Sequence, residues 1–222
     1  MYKMRGSFMK KKLVLALLMA ALLAGGAFAQ ININMSAGLG GNFGMHMTSY
    51  SGGGESESHN IVGGGFHAFF DATYAIAKAG MFFGGNSEKH DWGMGDPVTV
   101  KTSFTYFSLG LLGKYPIDLG SFTLFPMLGF EYNIFMSGKS SAEGESEKFK
   151  RSDLDSSSDF DAFILQLGAG ADFNLTDKIY LRPSILWGID LFRSNEEKVL
   201  KALDVSVFKH KLDIGIAVGY KF

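Results

Sequence analysis

The sequence has no cysteine and only four prolines among its 222 residues. Without cysteine there is no disulfide framework and no thiolate metal site. A lipoprotein is excluded as well, since its lipid is carried on cysteine. No apolar run reaches the roughly 20 residues of a spanning helix. The longest, LVLALLMAALLAGG, follows the basic stretch MYKMRGSFMKKK and precedes AFA. A basic region, an apolar core and a small-x-small motif make up a secretory signal peptide. Residues 1–29 are therefore expected to be cleaved, leaving a mature domain of residues 30–222. A basic surplus is also missing. The chain has 21 basic and 22 acidic residues, and without Lys3, Arg5, Lys10, Lys11 and Lys12 the balance is 16 against 22. That is not the footprint of a nucleic-acid binder. The five histidines stand in no H-E-x-x-H motif, and no G-x-S-x-G occurs. The phrases GESES (54–58) and GESEK (144–148) read as solvated loops, because no carboxylate loop of calcium-binding spacing accompanies them. The reading is of a non-enzyme with no cofactor and no metal.

What the chain does have is glycine (29), phenylalanine (21) and alternation. In ININMSAGLGGNFGMHM (31–47) the odd positions are mostly apolar and the even positions are Asn, Ser, Gly and His. Period two marks a strand, and this one exceeds the usual 5–6 residues. Membrane-crossing strands need about 9–11. The pattern recurs at 61–72, 73–85, 101–116, 121–136, 161–173, 178–192 and 206–222. Short turns are expected near 71–73, 117–120 and 174–177. Long polar loops are expected at 48–60, 86–100, 137–160 and 193–204. An even number of strands with alternating short and long connections predicts an all-β fold: an eight-stranded antiparallel transmembrane up-and-down β-barrel. Both termini then lie at the periplasmic rim, with DIGIAVGYKF pairing against ININMSAGLG.

Alternation alone does not say which face is outside, since soluble barrels alternate too. Nearly all the strand glycines occupy the less apolar stripe, as the crowded inside of a narrow barrel requires. Phe70, Tyr115, Phe122, Phe173, Tyr220 and Phe222 of the bulky stripe gather near the short turns, as in an interfacial girdle. Pro126 and Pro183 fall inside strands, where a bulge or a missing hydrogen bond is expected.

The inner stripe carries charge. Lys78, Lys114, Glu131, Arg182, Asp190 and Asp213 are expected to form a lumen ion-pair network, with Gln166, Lys209 and Lys211 on the same stripe. Counted from the periplasmic end, Lys78 and Arg182 lie low and Glu131 and Asp213 lie at mid-depth. An eight-stranded bore is just wide enough to be filled by side chains, so these charges should pair. Ile76, Phe82, Leu112, Phe125, Met127, Leu186 and Phe192 make the rest of the interior apolar.

The signal peptide, the strand rhythm and the segments FFDATYAIAKAGMFFG, LLGKYPIDLGSFTLFPMLGFEYN, LTDKIYLRPSILWGID and GIAVGYKF resemble small eight-stranded bacterial outer-membrane proteins of the OmpW-like and opacity-protein-like families. The resemblance implies an outer-membrane location, a lipid environment and insertion by the barrel assembly machinery. It also implies an assembly signal in the last strand, on Tyr220 and Phe222, with Gly215 and Gly219 flanking Ala217 where the family usually has glycine. Two functions follow as expectations. The first is a narrow channel for small hydrophobic solutes, as the OmpW-like resemblance implies. The second is a barrel presenting surface loops as an adhesin, a receptor for host surface molecules, or a structural outer-membrane protein.

Overall fold

A computed structural model describes residues 34–52, 55–90, 98–142, 145–154, 160–192 and 206–222. The expected signal peptide and the start of the first alternating run lie outside these residues. The described chain is β1 (Met35–Gly52), β2 (Glu55–Ala72), β3 (Ala75–His90), β4 (Val98–Lys114), the two-residue β5 (Ile117–Asp118), β6 (Phe122–Ala142), β7 (Glu145–Lys150), β8 (Ala162–Asn174), β9 (Ile179–Asp190) and β10 (Ser206–Lys221). A 3-10 turn, η1, covers Arg151–Asp153.

Eight of these strands close a ring, each antiparallel to its neighbours, in the order β1-β2-β3-β4-β6-β8-β9-β10 and back to β1. The seam between β1 and β10 runs from Ser36↔Lys221 to Ser51↔Ser206, and Phe222 N–H adds a bond to Met35 O at 3.1 Å. Closure leaves the transmembrane sheet without an edge, as the hydrocarbon interior demands.

The apolar stripe faces outward. Leu39 is 71% exposed and Phe222 is 76% exposed, whereas Phe125 and Phe135 on the opposite face are fully buried. Phe70, Tyr74, Tyr115, Phe173, Tyr220 and Phe222 are all exposed around the end that carries the short turns. Phe122 and Phe173 stack there at 5.2 Å.

One expectation needs correction. Much of the expected loop sequence is strand. The β1–β2 and β6–β7 hairpins are paired up to Gly52↔Glu55 and Ala142↔Glu145. Alternation weakens there because both faces of a ribbon beyond the membrane meet water. At the prolines the expectation of missing bonds holds, on one side of each strand and without a bulge, while Pro126↔Ala169 and Ile216↔Pro183 stay paired on the other. The β4–β6 ladder ends at Lys114↔Met127; just past it Tyr115 N–H donates to Pro126 O at 3.2 Å, and the proline returns no bond. Beside Pro183 the β8–β9 ladder passes from Gly170↔Ser184 to Phe173↔Leu181. A register shift falls elsewhere, where Tyr106↔Phe135 is followed by Thr105↔Ser137 and Met136 has no partner on β4. Below Met136 the even residues of β6 face outward; above it the odd ones do.

Candidate functional site

The bore is filled in layers. Its floor is a hydrogen bond of 2.7 Å between the hydroxyls of Ser36 and Tyr180. Above it lies a balanced cluster of two acids and two bases. Arg182 holds Asp71 at 2.5 Å and grips Asp172 with two bonds of 2.6 and 2.7 Å. Lys114 reaches the same oxygen of Asp71 at 2.6 Å. The guanidinium also sits 4.9 to 5.0 Å from the ring centres of Phe69, Phe125 and Tyr180. Planar Arg suits this place, because one fork serves a carboxylate while its face stacks on aromatics.

The second cluster centres on Glu131, which is 2% exposed. Lys78 binds one oxygen at 2.6 Å and Lys211 the other at 2.5 Å. Gln166 donates to the carboxylate at 3.3 Å. Lys211 also meets Asp213 at 2.8 Å, and Asn42 donates to Asp213 at 3.3 Å. This cluster too has two acids and two bases. Burying such charges is favourable only when they are paired and hydrogen-bonded.

Lys78 is not low in the bore. It faces Gly110, which faces Glu131, in one cross-strand row. Counting from strand ends ignores the stagger that closing a barrel imposes. Gly110 is what lets Lys78 lie across β4, since a Cβ there would come 2.5 Å from Lys78 Cε.

Asp190 belongs to neither cluster. It accepts the backbone N–H of Phe163 at 3.1 Å and of Phe192 at 2.9 Å near the outer end of β9. Phe192 is not a lumen residue: it is 39% exposed and packs beside Tyr132 and Phe163. Ile76, Phe82, Leu112, Phe125, Met127 and Leu186 are buried in the bore. Between the two charged clusters, beside His67, Ser184 and Asp213, remains a cavity of about 70 Å³.

An aromatic cluster stands toward the outer end of the bore. Phe135 lies against Tyr106, Phe149 and Phe160 at 5.9, 5.8 and 5.2 Å. Arg151 clamps this cap with bonds of 2.5 and 3.0 Å to Asp161. Asp161 also accepts from Tyr132 O–H and Phe135 N–H at 2.9 and 3.0 Å. The bond to Asp161 raises the Arg151 pKa above its ordinary value, so this clamp keeps its charge.

Sequence reasoning missed Asp71, Asp172, Arg151 and Asp161 as ion-pair partners. Asp172 was legible, since it continues the inner stripe of Gln166, Gly168 and Gly170. Asp71 follows buried Phe69 by two residues but read as part of a turn. Arg151 sits in irregular chain that carries no period, and Asp161 opens the run 161–173 on the parity of Phe163 and Leu165 yet is buried.

At the C-terminus, Tyr220 and Phe222 are exposed, with ring centres 6.0 Å apart. Gly219 faces the Tyr180 ring, which a Cβ would meet at 2.1 Å. Gly215 packs more loosely, its nearest contact being Ser184 Oγ at 3.0 Å. Ala217 is buried, filling the space left by Gly40 across the seam.

A family model described as the outer membrane protein beta-barrel domain matches residues 14–222. No curated protein matches the chain. Among solved structures it is similar to Neisserial surface protein A, with 14% identity, 84% of this chain and 99% of that one covered, and a TM-score of 0.43. It is similar to OprG from Pseudomonas aeruginosa, with 15% identity, coverage of 84% and 97%, and a TM-score of 0.37. Ail of Yersinia pestis, solved with the heparin analogue sucrose octasulfate, gives 13% identity, coverage of 85% and 99%, and a TM-score of 0.37.

Proposed function

The chain belongs to the outer-membrane β-barrel family and resides in the bacterial outer membrane, and from that premise we propose that it works at the cell surface, presenting its hairpins to an external partner around a sealed bore. The observation that carries this reading is the grip of Lys78 and Lys211 on Glu131, which plugs the barrel at mid-depth. A second charged cluster lies below it and an aromatic cap above. The reading therefore ranks surface presentation over the hydrophobic-solute channel. Moving a solute through this bore would require unpairing buried charges, at several kcal/mol each.

The hairpins supply the surface. β1, β2 and β6 run for 18, 18 and 21 residues, against the 9–11 or so that cross the bilayer. The excess carries Ser, Thr, Lys and Glu on paired ribbons, so it projects as ordered structure. The fitting partners are molecules of a host or neighbouring cell surface. The reading assigns no catalysis, and the barrel assembly machinery enters as the reader of the last strand. It also keeps residues 1–29 as a cleaved signal peptide and 30–222 as the mature barrel.

Two measurements test the proposal. Refolded protein in planar bilayers is expected to show neither steady conductance nor flux of a small apolar solute, and flux in the wild type would overturn it. On cells, residues 138–149 can be replaced by an Asn-Gly turn, because Ser137 and Lys150 are cross-strand partners. Adhesion to host cells or matrix should fall while the barrel stays folded. Unchanged adhesion, together with unchanged adhesion after shortening the β1–β2 hairpin, would refute the reading.

A further inference from the structure

The β2–β3 connection is a two-residue loop, Thr73 and Tyr74, between the partners Ala72 and Ala75. The φ angle of Thr73 is 52°, and among the described residues it is the one non-glycine with positive φ. A positive φ at the first loop residue alone is the mark of a type II′ turn, which normally has glycine there. A β-branched residue in this region is strained. Glycine is not scarce in a chain that has 29 of them, so the side chain at position 73 needs a reason of its own.

That reason is what the hydroxyl holds. Thr73 Oγ1 accepts the backbone N–H of Asn34 at 2.8 Å and donates to the Asn34 carbonyl oxygen at 3.0 Å. The two bonds stand one step beyond Met35↔Ala72, where the β1–β2 ladder has run out. A side chain thus serves as the last strand partner of β1. The turn is itself anchored, because Lys114 N–H donates to Tyr74 O at 2.8 Å.

Three successive residues are gripped by three different elements. Asn34 is held by the turn, Met35 O accepts the N–H of Phe222 at 3.1 Å, and Ser36 meets Tyr180 at 2.7 Å. The second and third grips come from the far end of the chain. The first comes from only 39 residues away. Contacts of short sequence separation close at a lower entropic cost and form ahead of distant ones. The clasp on Asn34 therefore precedes the seam. We infer that Thr73 is a positioning residue for barrel closure: its hydroxyl fixes the start of β1 and presents the open edge of that strand, in register, to the terminal strand. Glycine would fit the turn better but has no hydroxyl. Both bonds lie at the exposed rim, where bonds to water replace them and their net worth to stability is modest. Their effect falls on the rate of closure.

The test dilutes the mature chain from urea into phosphatidylcholine vesicles and times folding by heat-dependent migration. Thr73→Val keeps the β-branched shape and removes the hydroxyl. It should fold about threefold more slowly, or worse, and unfold in urea at close to the wild-type rate. Thr73→Ser should restore the folding rate. Thr73→Gly relieves the turn without supplying the clasp, so it folds even where the Val variant does not, and it too should be slow. In the folded barrel, amide exchange of Phe222 should rise severalfold in either variant that lacks the hydroxyl. Exchange of Phe208, paired with Ser49 at the other end of the seam, should stay unchanged. A Val variant that folds at the wild-type rate, a Gly variant as fast as the wild type, an effect confined to unfolding, or an equal rise of exchange at both ends of the seam would each overturn the inference.

Discussion

Glu131 and Lys211, 80 residues apart in the chain, meet at 2.5 Å in the middle of the bore. Their strands are not neighbours in the ring, since β8 and β9 stand between β6 and β10. The pair is therefore a strut across the barrel.

Replacing Glu131 by Gln should remove the anion that both Lys78 and Lys211 grip. Two buried ammonium groups would then share Asp213 alone. The expected loss is about 3–5 kcal/mol of stability, read by urea titration of the folded protein in lipid. A variant as stable as the wild type would mean that the cluster is hydrated and loosely held.

Arg182→Lys keeps the charge but not the fork. One ammonium cannot bind Asp172 twice, reach Asp71 and stack on Phe69, Phe125 and Tyr180 at once. A loss of about 2–4 kcal/mol is expected. Arg182→Lys matching the wild type in the same titration would show that charge alone holds the lower cluster.

Gly219→Ala should be costly, at about 1–3 kcal/mol, because the new Cβ meets the Tyr180 ring, which Ser36 holds in place. Gly113→Ala is the matched control. Its Cβ finds only Leu128 O, at an ordinary 3.5 Å. Equal effects in a thermal unfolding comparison would refute the packing account.

Arg151→Ala should release the cap from Asp161 without unfolding the barrel, at a cost of about 1–3 kcal/mol, since the buried Asp161 keeps only the bonds from Tyr132 and Phe135. Limited proteolysis of whole cells should cut faster within 145–154, while the heat-dependent migration of the barrel stays unchanged. Identical cleavage rates would show that the aromatic contacts alone hold the cap.

Deleting Phe222 should lower the amount of protein at the cell surface severalfold while export continues. Surface labelling against total mature protein measures it. Normal surface levels would remove Phe222 from the assembly signal.

The fold was legible because a two-residue period survives wherever one face meets lipid. The strands from Phe122 and Ile179 show it plainly. It fades above Met136, where a single unpaired residue exchanges the faces and where both faces are polar. The site was half legible. Glu131, Lys211 and Asp213 read as inner residues from parity alone. Their partners depend on stagger, which no linear count contains: Lys78 reaches Glu131 because Gly110 lies between them in one row. Asp71 was hidden by its closeness to a turn, and Arg151 by lying in chain without a period.

The seam also sets the order of events during biogenesis. Ser36 pairs with Lys221, so the first and last strands of the barrel become neighbours only after all the strands between them have been made. Until then β1 and β10 are both open templates for other strands, which makes the intermediate prone to aggregation. Pairing so distant in sequence is also slow to form. Until the two strands meet, nothing within the chain pairs their seam edges, so the unfinished barrel stays open to other strands for as long as closure takes.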